Sequence, residues 1–225
     1  MTVVDAGPGL IIVDTWGSLR AAERAAVRIR EIFGKPVSHV INTHHHWDHT
    51  FGNRAFQGAE IVGHWFCARD MAASYGNPSV RKTKLEESAL LADHDSVRKY
   101  VLEVAEEAAA DSFRIRMPDR LIQHNDILAV GDLTVLLYQT PGIHTRSNLT
   151  VFIEEPGIVF GRREFAGDGP ISLERGADPI VIVRVLESIL ATGRPVRVLI
   201  PGHGDAVENP NLKLAAERLR GMVLK

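Results

Sequence analysis

Thr43-His44-His45-His46-Trp47-Asp48-His49-Thr50 gathers four of the chain's ten histidines, with one aspartate among them. Imidazoles this close repel one another once protonated, and a carboxylate in their midst needs a positive partner. A divalent metal meets both demands, because neutral imidazole nitrogen and carboxylate oxygen are ligands that zinc accepts. His44 and His46 alternate, so on a loop at a strand's end they can point the same way. Asp48 and His49, two residues on, can face a second position nearby. A solvated histidine-rich loop is the bland alternative; an internal position directly after an apolar run argues against it. Two further histidines stand in Gly/Pro turns at the ends of apolar runs. His144 lies in Thr140-Pro141-Gly142-Ile143-His144-Thr145, and His203 in Pro201-Gly202-His203-Gly204.

The elements around these residues must place them. Leu10 to Val13 reads as a strand ending at Asp14. Ser18 can N-cap a helix from Leu19 to Phe33, whose apolar residues recur at near-helical spacing and which Gly34 and Pro36 stop. Val37 to Ile41 is a buried strand that delivers the histidine loop, so strand, helix and strand suggest a β-α-β unit. Glu60 to Gly63 reads as a strand, and His64 to Ala73 as a helix. Residues 78 to 113 alternate charge with alanine and leucine. They predict one or two amphipathic helices with a break near Asp93-His94-Asp95, either a solvated face or a lid over a cleft. A hairpin then runs from Asp126 to Val130, through Gly131-Asp132, and from Leu133 to Tyr138. Strands follow at Leu149 to Ile153 and Ile158 to Phe160, then a polar loop with Gly167, Gly169 and Pro170. Pro179 to Ala191 reads as a helix, Val196 to Ile200 as a strand and Pro210 to Met222 as a last helix.

A length of 225 residues and a hydrophobic fraction of 45% suit one domain with a sizeable core. The single reading is residues 1–225 as one domain, with residues 78–113 as a helical insertion. A net charge of −2 makes no electrostatic case for nucleic acid or an anionic membrane. Cys67 is the only cysteine, so no intrachain disulfide can form, which fits a reducing compartment. No charged-then-apolar leader and no apolar run near ~20 residues appears, so a cytoplasmic protein is expected. The composition leaves the oligomeric state unread.

The string His44-x-His46-x-Asp48-His49 resembles the first metal motif of the metallo-β-lactamase superfamily. Residues 42 to 53 resemble its broad hydrolase branch, and the likeness runs from about Gly9 to Asn209. The resemblance implies an α+β fold, the αββα sandwich of two mixed sheets packed face to face with helices outside. It implies a first metal held by His44, His46 and His144, and a second held by Asp48, His49 and His203. Two zinc ions are expected, with one a possibility and iron or manganese less favoured. His39, His64, His94 and His124 match no ligand position. Trp47 sits at a variable position, as a wall of the pocket or packed beneath the loop. Relatives carry one or two further strands before the position of Gly9, so the first residues are expected to be trimmed, and a leader lost with them stays open.

Two departures stand out. Most relatives place a metal-bridging aspartate after glycine where this chain has Gly161-Arg162. A guanidinium cannot ligate and would be repelled by two dications, so Arg162 must turn away or meet a substrate anion, or the second metal is weak. Ile143 stands where glycine is usual. The resemblance implies a zinc-dependent hydrolase that attacks a carbonyl with metal-bound hydroxide, water's pKa falling from 15.7 to about 7. Asp48 would ligate the second metal and orient the nucleophile. Esters, lactones, thioesters and β-lactams of small molecules all suit this chemistry. The alternatives are a metal- or substrate-binding member whose catalysis Arg162 has impaired, and an iron oxidoreductase on the same fold. Both glyoxalase II-like thioesterases and iron persulfide dioxygenases lose ground without the aspartate.

Overall fold

The computed structural model describes residues 1–168, 171, 173 and 178–223. The chain forms two compact units, residues 1–5 with 9–121 and residues 6–8 with 122–225.

The first unit carries a sheet whose spatial order among the described residues is β1 (Thr2–Asp5), β2 (Leu10–Val13), β3 (Val37–Asn42), β4 (Glu60–His64) and β5 (Arg120–Ile122). β1 pairs antiparallel with β2, whereas β2, β3 and β4 run parallel. Helix α1 (Leu19–Phe33) is the crossover from β2 to β3, which gives the expected β-α-β unit. Its ends follow local chemistry. Ser18 Oγ accepts from the Ala21 N–H, and Gly34, at φ 62°, donates its N–H to the Arg30 carbonyl. Leu10, Ile12, Val40 and Ile61 are fully buried, with Ile29 and Phe56 packed beside them. Parallel strands covered on both faces read as such unbroken apolar runs. β1 went unread in the sequence because it is a four-residue strand that takes its register from β2.

α3 (Trp65–Tyr75), α4 (Pro78–Leu90) and α5 (Asp95–Ala109) belong to the same unit. The break between α4 and α5 falls where Asp93-His94-Asp95 predicts it, and residues 110–113 are not helical. Leu85, Val101, Val104 and Ala108 close a core with Phe51, Tyr75 and Phe113. Arg81 is buried there and donates to the Tyr75 and Ala108 carbonyls, capping the C-terminal ends of α3 and α5.

The second unit's sheet has the order β11 (Val207–Glu208), β10 (Val198–Pro201), β9 (Ile158–Gly161), β8 (Leu149–Ile153), β7 (Leu133–Gln139) and β6 (Asp126–Val130). β9 and β10 are parallel and the other neighbours antiparallel. α6 (Pro179–Ala191) and α7 (Leu212–Val223) add Leu186, Ile189 and Leu219 to a core with Phe152, Val159 and Leu199. The hairpin turns at Gly131, whose φ of 56° suits glycine. Two boundaries differ from the sequence reading. β10 starts at Val198, because the Arg197 N–H turns to the Gly157 carbonyl. α7 starts at Leu212, because Asn209 adopts φ 49° and donates back to the Arg197 carbonyl. After β9, residues Arg163–Ala166 form a short 3-10 turn ended by Gly167 at φ 86°. Gly169 and Pro170 of the expected polar loop lie outside the described residues.

Candidate metal centre

β3 ends at Asn42, and the next residues turn into a one-turn helix, α2 (Trp47–Thr50), that carries Asp48 and His49. The loop is pinned from beneath by buried amides and hydroxyls. Asn42 and Asn53 exchange hydrogen bonds at 2.8 and 3.0 Å, and Thr50 donates to the His46 carbonyl at 2.9 Å. A Cβ on Gly52 would lie 2.0 Å from the Thr15 carbonyl oxygen, so the close approach of this turn requires glycine. The rings converge as a result. His44 Nε2 lies 3.1 Å from His46 Nδ1, and the His44 and His49 ring centroids are 4.1 Å apart.

Asp14 orients this cluster, and the sequence reading passed it over as a mere strand end. It is buried at φ 57°. Its carboxylate accepts from the Thr43 N–H at 2.8 Å, from the Thr43 hydroxyl at 2.8 Å and from His49 Nδ1 at 2.7 Å. Since the Thr43 hydroxyl donates to Asp14, its oxygen is left to accept from His44 Nδ1 at 3.1 Å. One carboxylate thereby engages Nδ1 of two imidazoles, directly for His49 and through Thr43 for His44, and turns Nε2 of each toward its neighbours in the cluster, His46 and Asp48. Asp48 Oδ2 lies 3.3 Å from His49 Nε2. Burial disfavours charge on His49, but Asp14 and Asp48 outweigh it and raise the imidazole to about 10. The position therefore favours positive charge. The signal available in sequence was an acid closing one buried strand beside the strand that delivers the histidines.

Trp47 lies at the start of α2, against Phe51 and Tyr100 at 6.4 Å each. A Cβ on Gly17 would lie 2.3 Å from its ring, so the Asp14-to-Ser18 segment is closely packed on it. Trp47 thus packs between α5 and the Asp14-to-Ser18 segment. Two residues of that segment have positive φ: Asp14, of a type that tolerates it, and Trp16 at 67°, of a type that does not. Such a residue costs about 1–3 kcal/mol and persists where its surroundings hold it. Here the Thr15 N–H donates to the His49 carbonyl, and the Trp16 carbonyl accepts from the Gly52 N–H.

His144 stands in the turn after β7. Gly142, at φ 78°, donates to the Thr145 carbonyl, and Asn148 Oδ1 accepts from the Thr145 hydroxyl at 2.9 Å. Ile143, the residue in place of glycine, is 2% exposed and belongs to the second unit's core. It anchors the turn by packing. Arg162 forms a two-bond fork with Glu164, at 3.1 and 2.8 Å, and donates to the Ile143 carbonyl at 3.1 Å. Its charge is met by a carboxylate two residues on, and the same guanidinium ties down the residue before His144. Glu164 is therefore engaged by Arg162. Asp168 pairs instead with Arg163 at 2.7 Å. Of the remaining histidines, His39 lies 3.5 Å from Glu60, with its pKa lowered chiefly by burial, and His64 accepts the Phe66 N–H at the start of α3.

Two groups of three side chains could each hold a metal ion: His44, His46 and His144, and Asp48, His49 and His203. Within each group the ligand atoms lie within 4.8 Å of one another. The donors fit a divalent metal of borderline softness, being imidazole nitrogens with one carboxylate. The fit extends to the surroundings, since a metal-ligating histidine commonly has its other nitrogen held by an oxygen, as His44 and His49 do.

The chain belongs to the metallo-beta-lactamase superfamily, whose family model matches residues 1–205. It is 25% identical over 133 residues to a hydroxyacylglutathione hydrolase of Rhodospirillum rubrum, covering 58% of this chain and 34% of that protein. It is 38% identical over 60 residues to a linear primary-alkylsulfatase of a Pseudomonas strain, covering 27% of this chain and 11% of that protein. The matched stretches thus span 34% and 11% of those relatives' own length. Among solved structures, a metallo-beta-lactamase from Pontibacter korlensis superposes with a TM-score of 0.63 at 20% identity, over 97% of this chain and 85% of that one. A stereoselective inverting sec-alkylsulfatase from Pseudomonas sp. gives 0.66 at 15% identity, over 99% and 39%. These likenesses show the metallo-beta-lactamase fold, with its two mixed sheets and helices. No helix among the described residues is long and apolar enough to cross a membrane.

Proposed function

We propose that the protein is a zinc-dependent hydrolase of a small-molecule ester-like substrate. His44, His46 and His144 would hold one ion, and Asp48, His49 and His203 the other. The observation that carries this reading is the pair of three-donor groups, each compact enough for one ion. Three protein ligands leave a position for water or substrate, as catalytic zinc sites do and closed structural sites do not. Bound zinc supplies Lewis acidity, acidifying water near neutrality and polarising an electrophilic oxygen. The chain's own residues do the rest. Asp14 holds Nδ1 of His49 directly, and that of His44 through the Thr43 hydroxyl, which fixes both rings in direction. Asp48 orients the attacking water and accepts its proton. In this reading Trp47 and Arg162 act by holding the loops of Asp48 and His144.

Esters, lactones, thioesters and β-lactams remain the carbonyl candidates. The activities by which the relatives are named put a glutathione thioester and alkyl sulfates on the same panel. Arg162 at the bridging position supports a second reading, a metal-binding member with impaired catalysis.

Elemental analysis after gentle purification, with that substrate panel, tests both. About two zinc ions per chain and turnover of at least one substrate, both reduced in His46→Ala, is the expected result. Full zinc retention in His46→Ala would remove the first site. One zinc without turnover favours the second reading, and iron favours an oxidoreductase.

A further inference from the structure

Trp16 is a large aromatic residue held at φ 67° between two buried neighbours, Thr15 and Gly17, and is itself 42% exposed. Glycine would take this backbone conformation without strain. The indole belongs to none of the described cores, and no ring or cation contact engages it among the described residues. Its backbone is fastened to the candidate metal loop on both sides. Thr15 bonds the His49 carbonyl at 2.8 Å, and Gly52 bonds the Trp16 carbonyl at 3.1 Å. An ideal Cβ on the next residue, Gly17, would lie 3.3 Å from Asp48 Cα. A strained, part-exposed aromatic residue tied through its backbone to the residues proposed as ligands is where a contact to something outside the chain is expected.

We propose that Trp16 is a specificity-determining residue whose indole packs on an apolar alkyl or aryl portion of the substrate. The inference rests on the metal-centre reading above and adds a substrate class to it: molecules with a hydrophobic chain beside the group that is cleaved. Tryptophan suits this use, since it offers a large rigid apolar face with a polar edge that water can satisfy.

The test uses the zinc-loaded full chain and straight-chain carboxylates from butanoate to decanoate, measured by calorimetry. The same lengths are read in parallel as p-nitrophenyl esters. Affinity should rise by roughly threefold per added methylene where the chain is covered. Trp16→Gly should flatten that slope to near one while leaving the melting temperature equal or higher, because the strain is relieved. Trp16→Phe should keep most of the slope. An unchanged slope in Trp16→Gly overturns the inference, as does a native protein with no dependence on chain length. A lower melting temperature with the slope retained assigns Trp16 a structural role and also overturns it. A slope that depends on Trp16 in a protein that cleaves no ester supports the apolar subsite while sinking the hydrolase reading. Ester turnover with no Trp16 effect does the reverse.

Discussion

Two side chains that hold the candidate ligands, Asp14 and Arg162, decide how the site is built at the scale of residues. Asp14 accepts three hydrogen bonds from Thr43 and His49. An amide in its place would turn a donor toward one of these donors. Asp14→Asn should therefore weaken zinc binding by about 10- to 100-fold, measured by competition with a chromogenic chelator, with the fold kept. Unchanged affinity would make Asp14 a turn residue only. Arg162 poses the opposite case. Restoring the family's aspartate alone should not raise zinc content, because Arg162→Asp leaves Glu164 facing a second carboxylate and frees the Ile143 carbonyl. Removing Glu164 in the same chain, as Arg162→Asp with Glu164→Ala, is the form in which extra zinc should appear by elemental analysis. If the single variant already gains zinc, the clamp on the His144 turn is dispensable. Cys67 is fully buried, and burial first, with Asp14 and Asp70 adding, pushes its thiol well above the usual range. It should resist alkylation at pH 8 until the protein unfolds, and prompt labelling of the native chain would contradict that burial. The sequence displayed the histidines because their chemistry is concentrated in one string. It did not display Asp14 or the Arg162–Glu164 fork, whose meaning comes from a neighbouring strand and a carbonyl nineteen residues away.

At the scale of elements, α1 and the histidine strand were legible because caps and apolar periodicity agreed on them. α1 begins and ends at the expected residues, and α6 likewise. β1, β11 and the 3-10 turn Arg163–Ala166 were not legible, since elements of two to four residues carry no periodicity and take their form from what they pair with. The helical pair α4–α5 was read correctly as helices with a break, but its attachment was invisible. Glu107 on α5 accepts from the Ser18 hydroxyl and the Arg20 N–H, both at 2.8 Å. A carboxylate from another helix thus satisfies a first-turn donor of α1. Tyr100, also on α5, faces Trp47. These ties argue against a freely swinging lid. Glu107→Ala should cost about 1 kcal/mol of stability, read by urea unfolding, and should increase cleavage between α4 and α5 in limited proteolysis. Unaltered proteolysis would mean that the core around Leu85 and Val104 holds the pair without this cap.

For the whole molecule, the proposed triads draw ligands from positions far apart in the chain: His44 and His46 with His144, and Asp48 and His49 with His203. The short histidine string supplies only two ligands to each triad, so zinc would bind the folded state more tightly than the unfolded one, and the mass-action stabilisation is an upper value. Mass action then stabilises the fold by RT ln(1 + [L]/Kd), about 2.7 kcal/mol for each site at a hundredfold excess over Kd. For a chain of this size about 1 kcal/mol moves the melting temperature by about 2–4 °C, so each filled site is worth roughly 5–10 °C. The sequence alone leaves the number of ions open, and stability offers a measure of it that does not depend on finding a substrate. Dialysis against a chelator should lower the melting temperature, and stepwise return of zinc should restore it in two increments if both triads fill. His203→Ala should abolish one increment and leave the other, and His144→Ala should do the same for its partner step. A single increment lost only in His144→Ala would make the protein a one-metal site of His44, His46 and His144. A melting temperature indifferent to chelator and zinc would remove both ions from the account.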